Sequence, residues 1–369
     1  MKRHSLSLIL LVLASMAWSL ETTQIGKVDY IEGGVSINRV GKTLSDPNID
    51  DPLYSGDLIK TAGDGMLVIA MDRSTGMGGT ITIRSRAALY INISMVKGQP
   101  KTSIDLLAGS IGSKVSKLSG SPTMAVNTNG AVMGVRGTEY GVAVSVNEAV
   151  LVTCTEGQVA VTDGGEELPV PAGKALEKRP GEKLRYLPVA VSSVKDYNER
   201  WIADEIEAFK ADAPRALADY AKRYNDLSAK FAAAIDPFQK SATVRKWFDE
   251  DRTGVVVNPM DPAVLREKKE VAGLLLDLRR VLFLFERVYY RVDDLSGIIA
   301  GTPYERTLVS PGVTAGDFLH RVADEREQLS RQVARFRYAE KLYEARSPEG
   351  EVFGSGSGND DFFKSPDGF

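Results

Sequence analysis

Two periodicities divide this 369-residue chain and predict a β + α multidomain fold. An all-β domain of many short strands, solenoid- or barrel-like, is followed by an α-helical bundle. Residues 22–190 alternate apolar and polar positions between turn signals, whereas residues 195–345 repeat apolar residues at steps of three and four. A third observation, a short apolar run at the N-terminus, places an export segment ahead of both. The length suits two or three domains.

The export segment reads from its order of residues. Lys2 and Arg3 form a basic start, and Leu6 to Ala17 (LSLILLVLASMA) is apolar for 12 residues. A membrane-spanning helix needs about 20, so the run fits the core of a signal peptide, with an uncleaved anchor as the alternative. The small residues Ala14, Ser15, Ala17 and Ser19 put cleavage near Ala17–Ser19, which makes residues 1–19 the signal peptide. No later apolar run reaches membrane length, so the mature chain is expected to be periplasmic and without a transmembrane segment.

Strands are expected at 26–31, 34–39, 66–71, 80–83, 88–93, 102–107, 123–127, 139–146, 149–155 and 158–162. Between them stand Gly33-Gly34, Ser55-Gly56-Asp57, Gly63-Asp64-Gly65, Asn129-Gly130 and Asp163-Gly164-Gly165, pairs and triplets that favour turns. Regular short strands with such punctuation form sandwiches, barrels or solenoids. The β domain is bounded at 20–190.

The helical domain is bounded at 191–346. Leu217, Tyr220, Tyr224, Leu227 and Phe231 make one stripe, and Val271, Leu274, Leu278, Val281, Phe285, Val288 and Val292 make another. Asp212 with Pro214, and Asp261 with Pro262, mark helix starts. Further helices are expected at 197–209 and 317–344, with a loop at 297–316. Lys195 to Arg346 contains 26 basic and 26 acidic residues, interspersed as on a solvated bundle surface. Residues 347–369 carry five acids and one lysine with the string GSGSGND, and read as a flexible acidic tail. Phe362, Phe363 and Phe369 within it are a possible docking motif.

Composition limits the chemistry. Net charge is −3, with no basic field for nucleic acid. Two histidines, His4 and His320, and one cysteine, Cys154, exclude a disulfide framework and a Cys/His zinc site. No HExxH, phosphate loop or nucleophile elbow is present. His320 is expected at the edge of the bundle, and Cys154 as an inert thiol on one strand face with Val150 and Val152. The oxygen-rich stretch Asp46, Asn48, Asp50, Asp51 is interrupted by Pro47 and Pro52 and reads as a solvated loop. GMGGT at 76–80 reads as a strand connection. In RVYYR at 287–291, Val288 and Tyr289 are expected to face the core. Neither catalytic residues, metal ligands nor a cofactor site are assigned.

One string stands out: Gly134, Val135, Arg136, Gly137, Thr138, Glu139, Tyr140 and Gly141, GVRGTEYG, preceded by VNTNGAVM at 126–133. Its two glycines bracket Val135-Arg136, and Arg136 is expected to brace the turn by pairing with Glu139. Gly56 with Asp57, and Glu156 with Gly157, have the residue types of turns. The string, together with VLVTCTEGQVAV at 150–161, YSGDLIKT at 54–61, IDLLAGSI at 104–111 and VPAGKA at 170–175, resembles the FecR family over roughly residues 25–190. The resemblance implies a periplasmic regulatory domain. The founding type relays transporter occupancy to a cytoplasmic sigma factor, a role that needs a membrane helix ahead of the domain. Here a signal-like segment occupies that place. What carries over is a β domain with a binding role.

The function expected is therefore an exported, non-enzymatic binding or signal-sensing module of the envelope, its partner a protein or a glycan. The alternatives are a passive periplasmic scaffold, a glycan-binding protein, or a glycan hydrolase using a pair of carboxylates.

Overall fold

A computed structural model describes residues 23–39, 42–96, 99–117, 123–128, 131–135, 138–189 and 193–347. The expected signal peptide, the acidic tail beyond Ser347, and Arg136 with Gly137 lie outside the described residues.

The β half contains β1 (Gln24–Glu32), β2 (Val35–Arg39), β3 (Lys42–Leu44), β4 (Pro52–Tyr54), β5 (Asp57–Thr61), β6 (Met66–Met71), β7 (Met77–Ile83), β8 (Ala88–Val96) and β9 (Gln99–Lys117). It continues with β10 (Thr123–Asn127), β11 (Val132–Val135), β12 (Glu139–Val144), β13 (Val150–Glu156), β14 (Gln158–Asp163), β15 (Glu166–Pro171), β16 (Lys174–Lys178) and β17 (Arg185–Pro188). Their pairing makes two open sheets. One runs β4-β1-β6-β7-β9-β12-β13-β16-β17. The other runs β3-β2-β5-β8-β9-β10-β11-β14-β15. No barrel closes among the described strands, which form two facing sheets; the β-rich half is as expected, and its solenoid- or barrel-like character is not borne out. Alternation could not separate the two, because both architectures bury every second residue.

The inward residues of both sheets form one core. Leu67, Ile69, Ile81, Val142 and Val152 come from the first sheet, and Ile37, Ile59, Ile91, Ile104, Val126 and Val161 from the second. The long β9 belongs to both: residues 99–108 pair with β8, and residues 109–117 with β7 and β12. The corner between them is Gly109, at φ +77°. A Cβ there would stand 2.5 Å from Ala87 Cα and 2.6 Å from the Arg86 carbonyl oxygen. Only glycine both adopts this backbone and leaves that space. The expected strand 102–107 stopped short because Gly109 and Gly112 break its alternation. GMGGT is corrected in part: Gly76 is a turn residue, and Met77–Thr80 form the first half of β7, paired with β9. The strands at 42–44, 52–54, 57–61, 132–135, 166–171, 174–178 and 185–188 are additional to those expected.

The helices are α1 (Val194–Ala211), α2 (Ala213–Lys240), α3 (Ala242–Thr253), α4 (Pro262–Ile299) and α5 (Ala315–Ala345). Asp261 caps α4 by accepting the Ala263 amide at 2.7 Å, and Thr314 with Asp317 forms a reciprocal capping box on α5. A ring cluster joins the helices: Tyr224 lies 5.5 Å from Phe285 and from Phe318, and Phe231 5.3 Å from Phe285. The expected loop at 297–316 is corrected in part. Helix α4 runs on to Ile299, and a short 3-10 turn and a hairpin of β18 (Leu308–Ser310) and β19 (Val313–Thr314) follow. The helix α3 was not foreseen.

The helices do not form a bundle apart from the sheets. Leu58, Ala88, Tyr90, Leu107 and Ala108, on the outer face of the second sheet, belong to the same apolar cluster as α2, α4 and α5. The other face of the first sheet is covered by α1, where Ala143, Leu151 and Ala175 pack with Trp201. Cys154 is thus buried on the inward face with Val150 and Val152, while its neighbours Leu151 and Thr153 are buried beneath α1.

Candidate functional site

The motif residues occupy strand ends and turns of the β half. Gly134 is exposed on β11 opposite Ala160, and Val135 beside it is buried. Thr138 is buried, its hydroxyl without a hydrogen-bond partner among the described residues. Glu139 pairs with Lys114 at 3.1 Å and faces Glu156 across the β12–β13 ladder. Tyr140 is buried in the sandwich; burial raises its pKa, and its hydroxyl donates weakly to Met124 Sδ at 3.8 Å. Gly157 turns the chain between β13 and β14 at φ +78°. Gly56, at φ +90°, precedes Asp57, which is 1% exposed. Asp57 accepts both Nε and Nη2 of Arg39, at 2.8 and 2.7 Å, and the Tyr54 amide at 2.9 Å. That bidentate bond raises the Arg39 pKa and fixes the β4–β5 turn. The described motif residues are therefore spread over the sandwich, not brought into one pocket.

The charged groups that converge lie instead where the second sheet meets α4 and α5. Glu286 of α4 accepts the Tyr90 hydroxyl at 2.6 Å on one oxygen and Arg337 Nη2 of α5 at 2.9 Å on the other. The Arg337 guanidinium stacks over the Tyr90 ring at 3.8 Å. Burial, followed by the Glu286 charge, holds the Tyr90 hydroxyl protonated far above its ordinary range. Arg287 and Arg291 are 4% and 2% exposed. Arg287 donates to the Phe283 carbonyl at 2.8 Å and Arg291 to the Ser145 carbonyl at 2.6 Å, and Nε and Nη2 of both have no hydrogen-bond partner among the described residues. Burial lowers the Arg287 pKa to about 10. The RVYYR reading is thus extended: Val288 and Tyr289 face the core as expected, but so do the arginines, because residues 285–292 of α4 are enclosed by the other helices and the sheet together.

Beside this network an open cleft of about 450 Å³ separates the β2–β5 side of the sheet from the end of α4. Its charged lining is Lys60, Arg86, Arg326, Asp293 and Asp294, with Tyr290 as a wall. Lys60 and Arg326 both reach Asp293, the former at 2.5 Å, and Arg86 Nη1 reaches Asp294 at 3.3 Å. Burial raises the Asp294 pKa to about 6, against the pull of Arg86 and Arg291. None of these charged residues was singled out in the sequence. The available signal was residues 281–299, apolar on every helix face yet carrying Glu286, Arg287, Arg291, Asp293 and Asp294. His320 is exposed on α5 and does not pack at the edge; its neighbours Phe318 and Leu319 do. Among the described residues no three His, Cys, Asp or Glu side chains gather as a metal site, and no helix is long and apolar enough to cross a membrane.

The family model described as FecR protein matches residues 57–160, from β5 through the first half of β14, and takes in the GVRGTEYG string. Two solved structures of a candidate anti-sigma factor from Parabacteroides distasonis are similar to parts of the chain. One is 15% identical, covers 37% of this chain and 56% of its own, and has a TM-score of 0.25. The other is 12% identical, covers 38% and 63%, and has a TM-score of 0.26. The chain thus spans a little over half the length of these structures. Among curated proteins no sequence matches it.

Proposed function

We propose that this protein is an exported, non-enzymatic signal-sensing or interaction module of the cell envelope, with its FecR-type segment as the sensing part. The carrying observation is the FecR match over residues 57–160. The outer face of that segment is tied to the helices through Tyr90, Glu286 and Arg337. A partner that shifts the sandwich would therefore act on α4 and α5 directly, through the Tyr90–Glu286–Arg337 contacts. In this reading residues 1–19 direct export, residues 20–190 sense, residues 191–346 present the response, and residues 347–369 form a tail. The binding partner would be an envelope protein or glycan.

The test has two parts. A reporter fused behind residues 1–30 and active only outside the cytoplasm must be active. Site-specific crosslinkers at the exposed positions Val132 and Val256, followed by mass spectrometry, must then recover a membrane-bound transporter or regulator. Recovery of peptidoglycan-linked structural proteins alone would favour a scaffold. Turnover of oligosaccharide removed by a single Asp or Glu substitution would replace the reading with a hydrolase.

A further inference from the structure

Arg86 is held in a way that the fold alone does not require. It sits in the β7–β8 turn at φ +59°, a left-handed conformation uncommon for a residue with a side chain. Its guanidinium lies in a slot between two glycines. A Cβ on Gly63 would come 3.4 Å from Nη2, and one on Gly297 of α4 would come 2.8 Å from Nη1. The group makes one hydrogen bond, through Nη1 to Asp294, so Nε and Nη2 have no partner among the described residues. A guanidinium presents its five N–H groups as a fork that fits two oxygens of one anion. Here most of that fork is free, and the side chain is about one-third exposed, at 35%.

The surroundings match an anion with a small organic body. Lys60 and Arg326 stand on the same cleft, giving three cations against the two carboxylates of Asp293 and Asp294. The lining also includes the small residues Ala62, Ala88 and Ala108, and Tyr290. The volume of about 450 Å³ lies within the range of small-molecule pockets.

We propose that this cleft binds a small organic oxyanion, a carboxylate or phosphate ester of about monosaccharide size, seated on the free edge of the Arg86 fork. The body of the ligand lies against Tyr290, and Lys60 and Arg326, both paired with Asp293, leave the cleft with one net positive charge together with the Arg86–Asp294 pair. This site is separate from the partner reading above and stands or falls without it.

The test is calorimetric titration of the purified protein with glucuronate, glucose 6-phosphate and inorganic phosphate, with glucose as the neutral control. At least one of the three anions should bind with Kd below about 1 mM, and glucose should not. The anion preferred tells a carboxylate from a phosphate ligand. Arg86→Gln should weaken binding about tenfold or more, by loss of a charge-assisted bidentate contact. Gly297→Ala should do the same by displacing the guanidinium, with the melting temperature unchanged or raised, since alanine favours a helix. Asp294→Asn, which removes the competing carboxylate, should strengthen binding. Absence of binding by all three anions, equal binding of glucose, or unchanged affinity in both Arg86→Gln and Gly297→Ala overturns the proposal.

Discussion

Replacing Glu286 by glutamine tests whether the sheet and the helices are one cooperative structure. The wild-type carboxylate is 4% exposed and accepts from Tyr90 and Arg337 on separate oxygens. Glutamine keeps the shape but offers one acceptor, so its amide N–H₂ must face either the tyrosine hydroxyl or the guanidinium. The larger effect is on Arg337, a half-buried cation that loses its nearest counter-charge and keeps Glu340 and Asp105 in its surroundings. The cost should lie between that of an exposed pair and the roughly 3–5 kcal/mol of a fully buried one, at about 1–3 kcal/mol, a sizeable part of the stability of an ordinary domain. Urea unfolding should be followed by Trp201 and Trp247 fluorescence, which reports the helices, and by far-ultraviolet dichroism. Because Tyr90 and Leu107 share a cluster with α4 and α5, both signals should shift together to lower urea. Adding Arg337→Met should restore part of the loss, since the orphaned cation is then gone. A loss under about 1 kcal/mol for Glu286→Gln, or no recovery in the double variant, would refute this account of the junction.

Three further outcomes are expected. Stability should rise as pH falls from about 7 to about 5, because burial raises the folded-state pKa of Asp294 to about 6 and of Glu340 to about 7. A folded state that binds a proton more tightly than the unfolded chain is favoured at lower pH, and a shift of this size corresponds to roughly 3 kcal/mol per group. The groups facing Asp294 are Arg86, Arg291 and Asp293, and those facing Glu340 are Arg279, Arg337, Glu344 and Glu286. Asp294→Asn and Glu340→Gln should each flatten the slope of urea midpoint against pH. Further acidification should reverse the gain, since the pKa values of Glu177, Glu267 and Asp317 are lowered in the fold. For Glu177 burial is outweighed by hydrogen bonds from Trp201, Arg185 and Arg179. Gly109→Ala should lower stability by about 2 kcal/mol or more, the left-handed backbone alone accounting for 1–2, as read from the thermal midpoint; an unchanged midpoint would show that β9 does not need this corner. Cys154, 0% exposed with its pKa raised by burial, should resist a thiol reagent in buffer and react as soon as urea unfolds the chain.

Much of the β half was readable because its signal is local. β6 and β10 begin and end where the alternation places them, and β1, β2, β13 and β14 do so within two residues. Strands without their own alternation were missed, such as β4 and β17, which exist because a neighbour supplies the hydrogen bonds. The corner at Gly109 read as the end of a strand, since nothing in the chain marks which glycine bends a strand and which ends one. In the helices the stripes at Leu217–Phe231 and Val271–Val292 were legible, as were the Asp-Pro helix starts.

The sequence by itself determined the change of period near residue 190, the inward strand residues, the buried cysteine and the FecR resemblance around Gly134–Gly141. Each depends on residues within one or two turns of one another. Tertiary structure alone decided that the strands form two open sheets, that residues 285–292 of α4 are buried on every side, and that Lys60, Arg86, Asp293, Asp294 and Arg326 share one cleft. Arg86 and Asp294 are 208 positions apart. Whether a charge in an apolar stripe faces water or a distant counter-ion is fixed by which surfaces meet, because the cost of burial is offset only by a partner at contact distance.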